Sequence, residues 1–548
     1  MRWTVTALLF VALNAFGVRA QTPLAEQVDK VFEKWNKPNS PGCALSVIKD
    51  GTIVYKHGYG MADLDHDVPI TPSTIFHVAS VSKQFTAASI VLLAQQGKLS
   101  LDDEVRKYIT ELPDFGKRIT IRHLIHHISG LRDQWTLLGL AGWRYSLDLI
   151  TDEDVLSVIA GQKDLNFPPG ERYLYCNTGY TLLSQTVKRV SGKSLREFTT
   201  ANIFEPLGMK NTHFRDDHAE IVKNIAYGYE PSKDTFRLSV TNFDTVGATS
   251  LLTTVEDLAL WDENFYNPRV GGKPLVDQML QRGTLNSGEQ IDYAFGLQHG
   301  KYKGLTIVEH SGGDAGYRSH LIRFPEQHFS IACLCNTSIN PGNLARQVAD
   351  LYLAKEIKPE VAKAKEPVVT LSEAQLAGKT GVYVGQDDVV RRIALKDGAL
   401  RRVQGEAGIE LQPLSETRFR PASGPPVELR FETAGGRMRL IEVPDGGGKP
   451  SVYDKGEEFK PAPAQLKEYA GVYRSDEIEP PYRIVVENGK LVLDRLKFKA
   501  APLEPAIKDL FTSREGSIRF TRDARGKVTG FVLNSGRVLN FRFRNTSQ

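Results

Sequence analysis

Phe76-His77-Val78-Ala79-Ser80-Val81-Ser82-Lys83-Gln84-Phe85 is the stretch on which the reading of this chain turns. Ser80 and Lys83 stand three residues apart, so a helix beginning at Ser80 puts hydroxyl and amine on one face, one turn apart. A serine hydroxyl is a weak nucleophile that needs an adjacent base. A lysine serves as that base only when burial or a neighbouring cation lowers its pKa. The following residues supply the burial. Ala87-Ala88-Ser89-Ile90-Val91-Leu92-Leu93-Ala94 is apolar nearly all round, the mark of a helix inside a domain, and Gly97 is its stop. The positive end of such a helix also favours a developing oxyanion.

The same Ser-x-x-Lys spacing recurs at Ser46/Lys49, within Cys43-Ala-Leu-Ser-Val-Ile-Lys-Asp-Gly. That segment reads as a strand running into a turn, where residues three apart point to opposite faces and cannot cooperate. Spacing alone does not decide between the two pairs; the rest of the chain has to.

The chain has 548 residues, room for two to four domains, with 41% apolar and 24% charged residues, as in ordinary globular proteins. Lys plus Arg number 69 against 65 acidic residues, a net +4, which gives no charge-based argument for nucleic acid or a membrane surface. Arg2, an apolar run from Val5 to Phe16 and the small residues before Gln21 read as an export signal over 1–20. No later stretch is long enough to span a bilayer, so a secreted or periplasmic protein without an integral membrane segment after signal removal is expected. Four cysteines do not make a disulfide scaffold. Cys43, Cys176, Cys333 and Cys335 read as buried thiols, a Cys43–Cys333 or Cys43–Cys335 bridge being the alternative.

Residues 24–37 read as an amphipathic helix, and 43–48 and 52–59 as strands around the Asp50-Gly51 hairpin turn. Residues 119–127 read as a helix carrying His123, His126 and His127; with no acidic partner nearby, packing is preferred over a metal site. Phe167-Pro-Pro-Gly170 forms a loop feeding a helix over 178–191, with Asn177 or Thr178 as its cap. Tyr175 and Asn177, two apart, project to one side if the backbone there is extended. Thr254 and Asp257 start a capped helix. Strands over 305–310, 317–324 and 329–335, a Gly-rich turn after His310 and a helix over 344–354 complete an α+β unit. Trp135, Trp143 and Trp261 are candidates for pocket walls.

At 356–370 the composition shifts to Lys, Pro, Ala and Glu, a linker. Beyond it Leu376-Ala-Gly-Lys-Thr-Gly-Val-Tyr383 returns as Leu466-Lys-Glu-Tyr-Ala-Gly-Val-Tyr473, 90 residues later. Each unit continues through an Asp397-Gly398 or Asn488-Gly489 turn into alternating apolar runs. Two tandem antiparallel all-β domains, read as small barrels, follow at 371–458 and 459–548.

In order along the chain, Ser80-Val-Ser-Lys83, Tyr175-Cys-Asn177 and His310-Ser-Gly312 match the three motifs of the serine β-lactamase and penicillin-binding protein superfamily. The region resembles its branch of class C β-lactamases, D-alanyl-D-alanine carboxypeptidases, D-aminopeptidases and related esterases. The resemblance implies an antiparallel sheet flanked by helices, plus a helical subdomain, over 21–355. It implies Ser80 as acylated nucleophile, Lys83 as base and Tyr175 as proton relay. Asn177, His310, Ser311, Gly312 and Gly313 would bind substrate and, through the backbone N–H groups of Ser80 and Gly313, form the oxyanion hole. No metal or organic cofactor is implied. The expected function is hydrolysis of a small ester or a D-amino-acid amide or peptide through an acyl-enzyme. The alternatives are a β-lactamase or penicillin-sensitive carboxypeptidase and, from another class, a catalytically idle cell-envelope binding protein. Histidine at 310, where class C β-lactamases carry lysine, argues against efficient β-lactam hydrolysis. Because all three motifs precede the linker, the β domains are expected to modify access only.

Overall fold

Asp50 and Gly51 both take positive φ, 48° and 72°, so the strands Cys43–Lys49 and Thr52–Tyr59 fold back on one another. The computed structural model describes residues 23–358, 366–403, 408–445 and 448–547; the export segment expected at 1–20 lies outside them. The hairpin forms one edge of a six-stranded sheet in the order Gln298–Tyr302, Leu305–Asp314, Tyr317–Phe324, Phe329–Cys335, Cys43–Lys49, Thr52–Tyr59, every pairing antiparallel.

Strand alternation sorts the side chains. Cys43, Leu45 and Val47 face a core shared with the helices Leu24–Phe32 and Pro341–Tyr352. On the opposite face the Ser46 hydroxyl donates to the Val255 carbonyl at 2.9 Å, beneath the helix Val255–Glu263, while Lys49 is exposed. The second Ser-x-x-Lys is thus split between the core and solvent. Cys43 and Cys335 are register partners and form a disulfide, which corrects the reading of four free thiols; Cys176 and Cys333 are buried and free.

The helix Lys83–Gln95 is buried from Lys83 to Leu93 and packs against the helix Asn177–Ser191. Ser80 itself lies in a 3-10 turn, Ala79–Ser82, so the α-helix starts three residues later than the spacing implied. The expected helix over 119–127 is only Ile121–Ile125, because His127 adopts φ 58°. Its three imidazoles diverge. Nδ1 of His123 meets the Thr120 N–H, Nδ1 of His126 the Tyr293 carbonyl, and Nδ1 of His127 accepts from the Cys176 N–H. Cys176, not Asn177 or Thr178, occupies the N-cap position of the helix Asn177–Ser191, with no side-chain cap.

Two closed barrels of eight antiparallel strands follow, running from Gly381–Gly385 to Ser451–Gly456 and from Gly471–Arg474 to Val538–Asn545. The repeated sequence has a structural reason. In each copy a buried tyrosine hydroxyl donates to the carbonyl four residues before it, Tyr383 to Lys379 and Tyr473 to Tyr469, both at 2.7 Å. The first barrel has its own core around Phe419 and Phe431. The second does not: Tyr482, Phe541 and Phe543 belong to the same continuous core as Leu137, Leu138 and Leu140. Among the described residues no helix is long and apolar enough to cross a membrane.

Candidate active site

The turn that carries Ser80 is held under strain. Ala79 takes φ 47°, which costs a non-glycine residue about 1–3 kcal/mol and persists only where surrounding contacts dictate it. Those contacts are specific. Ser82 Oγ donates to the Ala79 carbonyl, and accepts from the Leu251 N–H at 3.0 Å. Ser319 Oγ donates to the Val78 carbonyl at 2.7 Å. Gly312 completes the clamp, for a Cβ there would lie 2.3 Å from the Val78 carbonyl oxygen and 2.9 Å from the Ser80 nitrogen. Only glycine lets the Leu305–Asp314 strand press this closely on the turn. Ser80 is left half-buried.

Lys83 has no exposed surface. Its Nζ donates to Ser80 Oγ at 3.2 Å, to Asn177 Oδ1 at 2.9 Å and to the Ala248 carbonyl at 2.6 Å. Burial pushes its pKa down to about 7, against the pull of Asp314 and Asp133 and with the help of the Arg537 cation. Asn177 is itself fixed, its backbone N–H and side-chain Nδ2 donating to Asp133 Oδ2 at 2.7 and 2.9 Å. Tyr175 lies with its ring 4.9 Å from Lys83 Nζ. Its hydroxyl is buried without a hydrogen bond of ordinary geometry. Burial raises its pKa well above the usual range, partly opposed by the Ser80 hydroxyl.

His310 is nearly buried, and burial followed by the Lys83 charge lowers its pKa to about 3. Nδ1–H donates to the Ser311 carbonyl at 2.7 Å, leaving Nε2 to accept from the Tyr293 hydroxyl at 2.9 Å. Both ring nitrogens are therefore occupied within the protein. Ser311 and Gly313 lie exposed on the strand, with Gly312 half-buried between them. Next comes Asp314, which accepts from Tyr145, Thr249 and, at 3.0 Å, His77. Burial would raise its pKa, but those donors hold it below the usual carboxylate range.

The geometry thus brings Ser80, Lys83, Tyr175, Asn177 and the 310–313 strand to one place. A hydroxyl beside a desolvated amine, next to exposed backbone on a strand, suits proton abstraction and acyl transfer. Sequence reasoning missed Asp133, Tyr293, Asp314 and Arg537. Asp314 directly follows the 310–313 stretch singled out in the sequence, whereas nothing marked Asp133, Tyr293 or Arg537. Trp261 is no pocket wall: it is fully buried and donates to Gln84 Oε1 at 3.0 Å.

Residues 28–354 match the Beta-lactamase family model. A penicillin-binding protein of Bacillus subtilis is 30% identical over 72% of this chain and 91% of its own. A D-aminopeptidase of Brucella anthropi is 27% identical over 90% of this chain and 93% of its own. Among solved structures, the octameric penicillin-binding protein homologue from Pyrococcus abyssi has a TM-score of 0.55 and 28% identity, covering 79% of this chain and 100% of that one.

Proposed function

Because this chain belongs to the Beta-lactamase family, we propose that it hydrolyses a D-amino-acid amide or short peptide through an acyl-enzyme on Ser80. It is a serine hydrolase, and the substrate class follows from its likeness to D-aminopeptidases across most of its length. In this reading neutral Lys83 takes the proton of Ser80 Oγ as Oγ attacks the carbonyl carbon. The N–H groups of Ser80 and Gly313 receive the oxyanion, each such donor being worth about 3–4 kcal/mol in other hydrolases. Lys83 and Tyr175 return the proton to the departing amine, then draw one from the water that releases the acyl group. Asn177 holds Lys83, and Asp133 holds Asn177. The observation that carries this is the 3.2 Å contact between Lys83 Nζ and Ser80 Oγ, with the lysine pKa brought to about 7 by burial.

The catalytic unit is assigned to 21–355, the linker to 356–370 and the barrels to 371–458 and 459–548. We place the enzyme outside the cytoplasm, since the Cys43–Cys335 disulfide suits an oxidising compartment and accords with the apolar N-terminal run.

The test is a substrate panel with intact-mass detection of the acyl-enzyme. D-alanine p-nitroanilide should turn over faster than its L enantiomer and faster than a chromogenic cephalosporin, with the acyl adduct on Ser80 and none in Ser80→Ala. A cephalosporin kcat/KM above that of every amide and ester tested would replace this reading with a β-lactamase.

A further inference from the structure

A hairpin of the second barrel reaches the catalytic residues. Arg537 stands at its tip, between the strands Val528–Ser535 and Val538–Asn545. The tip is clamped through its backbone. The Arg537 carbonyl accepts from Asn166 Nδ2 at 2.9 Å and from the Asp133 N–H at 3.3 Å. Asn166 Oδ1 accepts from the Leu539 N–H at 2.7 Å, and Arg132 donates to the Leu539 and Asn540 carbonyls at 3.2 and 3.1 Å.

The side chain, by contrast, is lightly held. The guanidinium lies 4.8 Å from the centre of the Tyr175 ring and 3.6 Å from Asp133 Oδ2, and its side chain is 43% exposed. Among the described residues Asp133 is the one acidic group within reach. That carboxylate already accepts from the Asn177 N–H and Nδ2 and from the Trp135 N–H. Arg537 therefore keeps most of its fork of donors free, the arrangement that fits a carboxylate in two places at once.

The other cations near the site do not offer this. Lys83 is sealed against Ser80, Asn177 and Ala248. His310 is neutral, with both nitrogens occupied. Arg318 turns Nη1 to the Ala315 and Tyr317 carbonyls.

The position says which part of a substrate meets Arg537. In the reaction proposed above, Ser80 Oγ–C forms, C–N breaks, and the nitrogen takes the proton that Lys83 drew from Ser80. The leaving amine must depart past Lys83 and Tyr175, and Arg537 lies over that same tyrosine. We propose that Arg537 receives the carboxylate of the leaving residue, so that the enzyme selects a leaving amino acid with a free carboxylate over its amide. The charge that would sit on a lysine at position 310 is supplied here from a barrel hairpin. This rests on the reading of Ser80 as the acylated serine.

The experiment compares D-Ala-Gly with D-Ala-Gly amide, on the full-length enzyme, in two readouts. One is kcat/KM; the other is protection of Ser80 against a fluorophosphonate, which needs binding but no turnover. Wild type should favour the acid tenfold or more in kcat/KM, mainly through KM, and be protected by lower concentrations of acid than of amide. In Arg537→Gln the acid-to-amide ratio should fall to near one, and Arg537→Lys should restore part of it. Thermal unfolding shows whether each variant keeps its hairpin docked, as the carbonyl clamp implies. Equal handling of acid and amide by the wild type, or no protection by either, overturns the proposal, as does an unchanged ratio in Arg537→Gln. Failure of the acyl-enzyme reading is separate: it appears as fluorophosphonate labelling that persists in Ser80→Ala.

Discussion

Arg132 and Glu477 form an ion pair at 2.5 Å whose side chains are 0% and 6% exposed, and it fastens the second barrel beside the catalytic residues. Arg132 also donates to Gln162 Oε1 at 3.1 Å. Its chain neighbour is Asp133, which holds Asn177. The barrel is thus joined to the site through adjacent residues.

Glu477→Ala leaves a buried guanidinium without its partner and should cost about 3–5 kcal/mol in denaturant unfolding. Asp164→Ala, at the exposed 3.8 Å pair with Arg542, should cost no more than about 1 kcal/mol. Equal costs would show that the buried pair does not fasten the barrel.

A chain ending at Lys358 removes Glu477, Leu539 and Asn540, the barrel partners of Arg132, and uncovers Leu137, Leu138 and Leu140, which share one core with the second barrel. It should aggregate, or stay soluble without reacting with a fluorophosphonate. A monomeric, fully labelled fragment would support the view that the barrels only tune access.

Acylation should depend on free Lys83. With its pKa at about 7, kcat/KM should rise roughly tenfold per pH unit below that point and level off above it. Asp314 raises this pKa and Arg537 lowers it. Asp314→Asn should therefore move the limb to lower pH and Arg537→Gln to higher pH. With His310 held at about 3, no second limb is expected near 6.5. A limb that stays put in both variants assigns the titration to another group.

Ser80→Ala should abolish turnover, and Tyr175→Phe should lose about 100-fold or more if it relays protons. Lys83→Ala combined with Ser80→Ala should be no worse than Ser80→Ala alone, as for residues acting as one unit. Ser46→Ala should keep full activity and lose about 1 kcal/mol of stability with its hydrogen bond to Val255. Full activity in Tyr175→Phe would leave that ring a packing role.

Gly312→Ala forces a methyl to within 2.4 Å of Ser319 Oγ as well as 2.3 Å of the Val78 carbonyl. The strand or the Ser80 turn has to shift, and a displacement near 1 Å costs on the order of 100-fold in rate. Circular dichroism should show the fold retained; undiminished kcat/KM would mean the two elements separate freely.

Much of the site was legible because its signals are local. Ser80 and Lys83 are one helical turn apart, Tyr175 and Asn177 straddle a helix start, and His310 to Gly313 are consecutive. The Asp50-Gly51 hairpin, the strands of the sheet and the barrel repeat were equally local, resting on turn chemistry and period-two burial. The ends of elements were less so. The Lys83–Gln95 helix starts after Ser80 because Ser319 and Gly312, far along the chain, hold the turn before it. The short helix Ile121–Ile125 stops at a left-handed His127 that no pattern of apolar residues marks.

What folding alone decided is electrostatic. By itself the sequence determined which groups could react: a hydroxyl, an amine, a phenol and a neutral-leaning imidazole in order along one domain, with two β units behind it. Only the tertiary structure decided which charge each carries. Burial lowers Lys83, while Asp133, Asp314 and Arg537 reach it from three separate elements, the last from the far end of the chain. Desolvation and Coulomb forces depend on distance in space, and chain order does not encode that distance until the second barrel has closed against the catalytic domain.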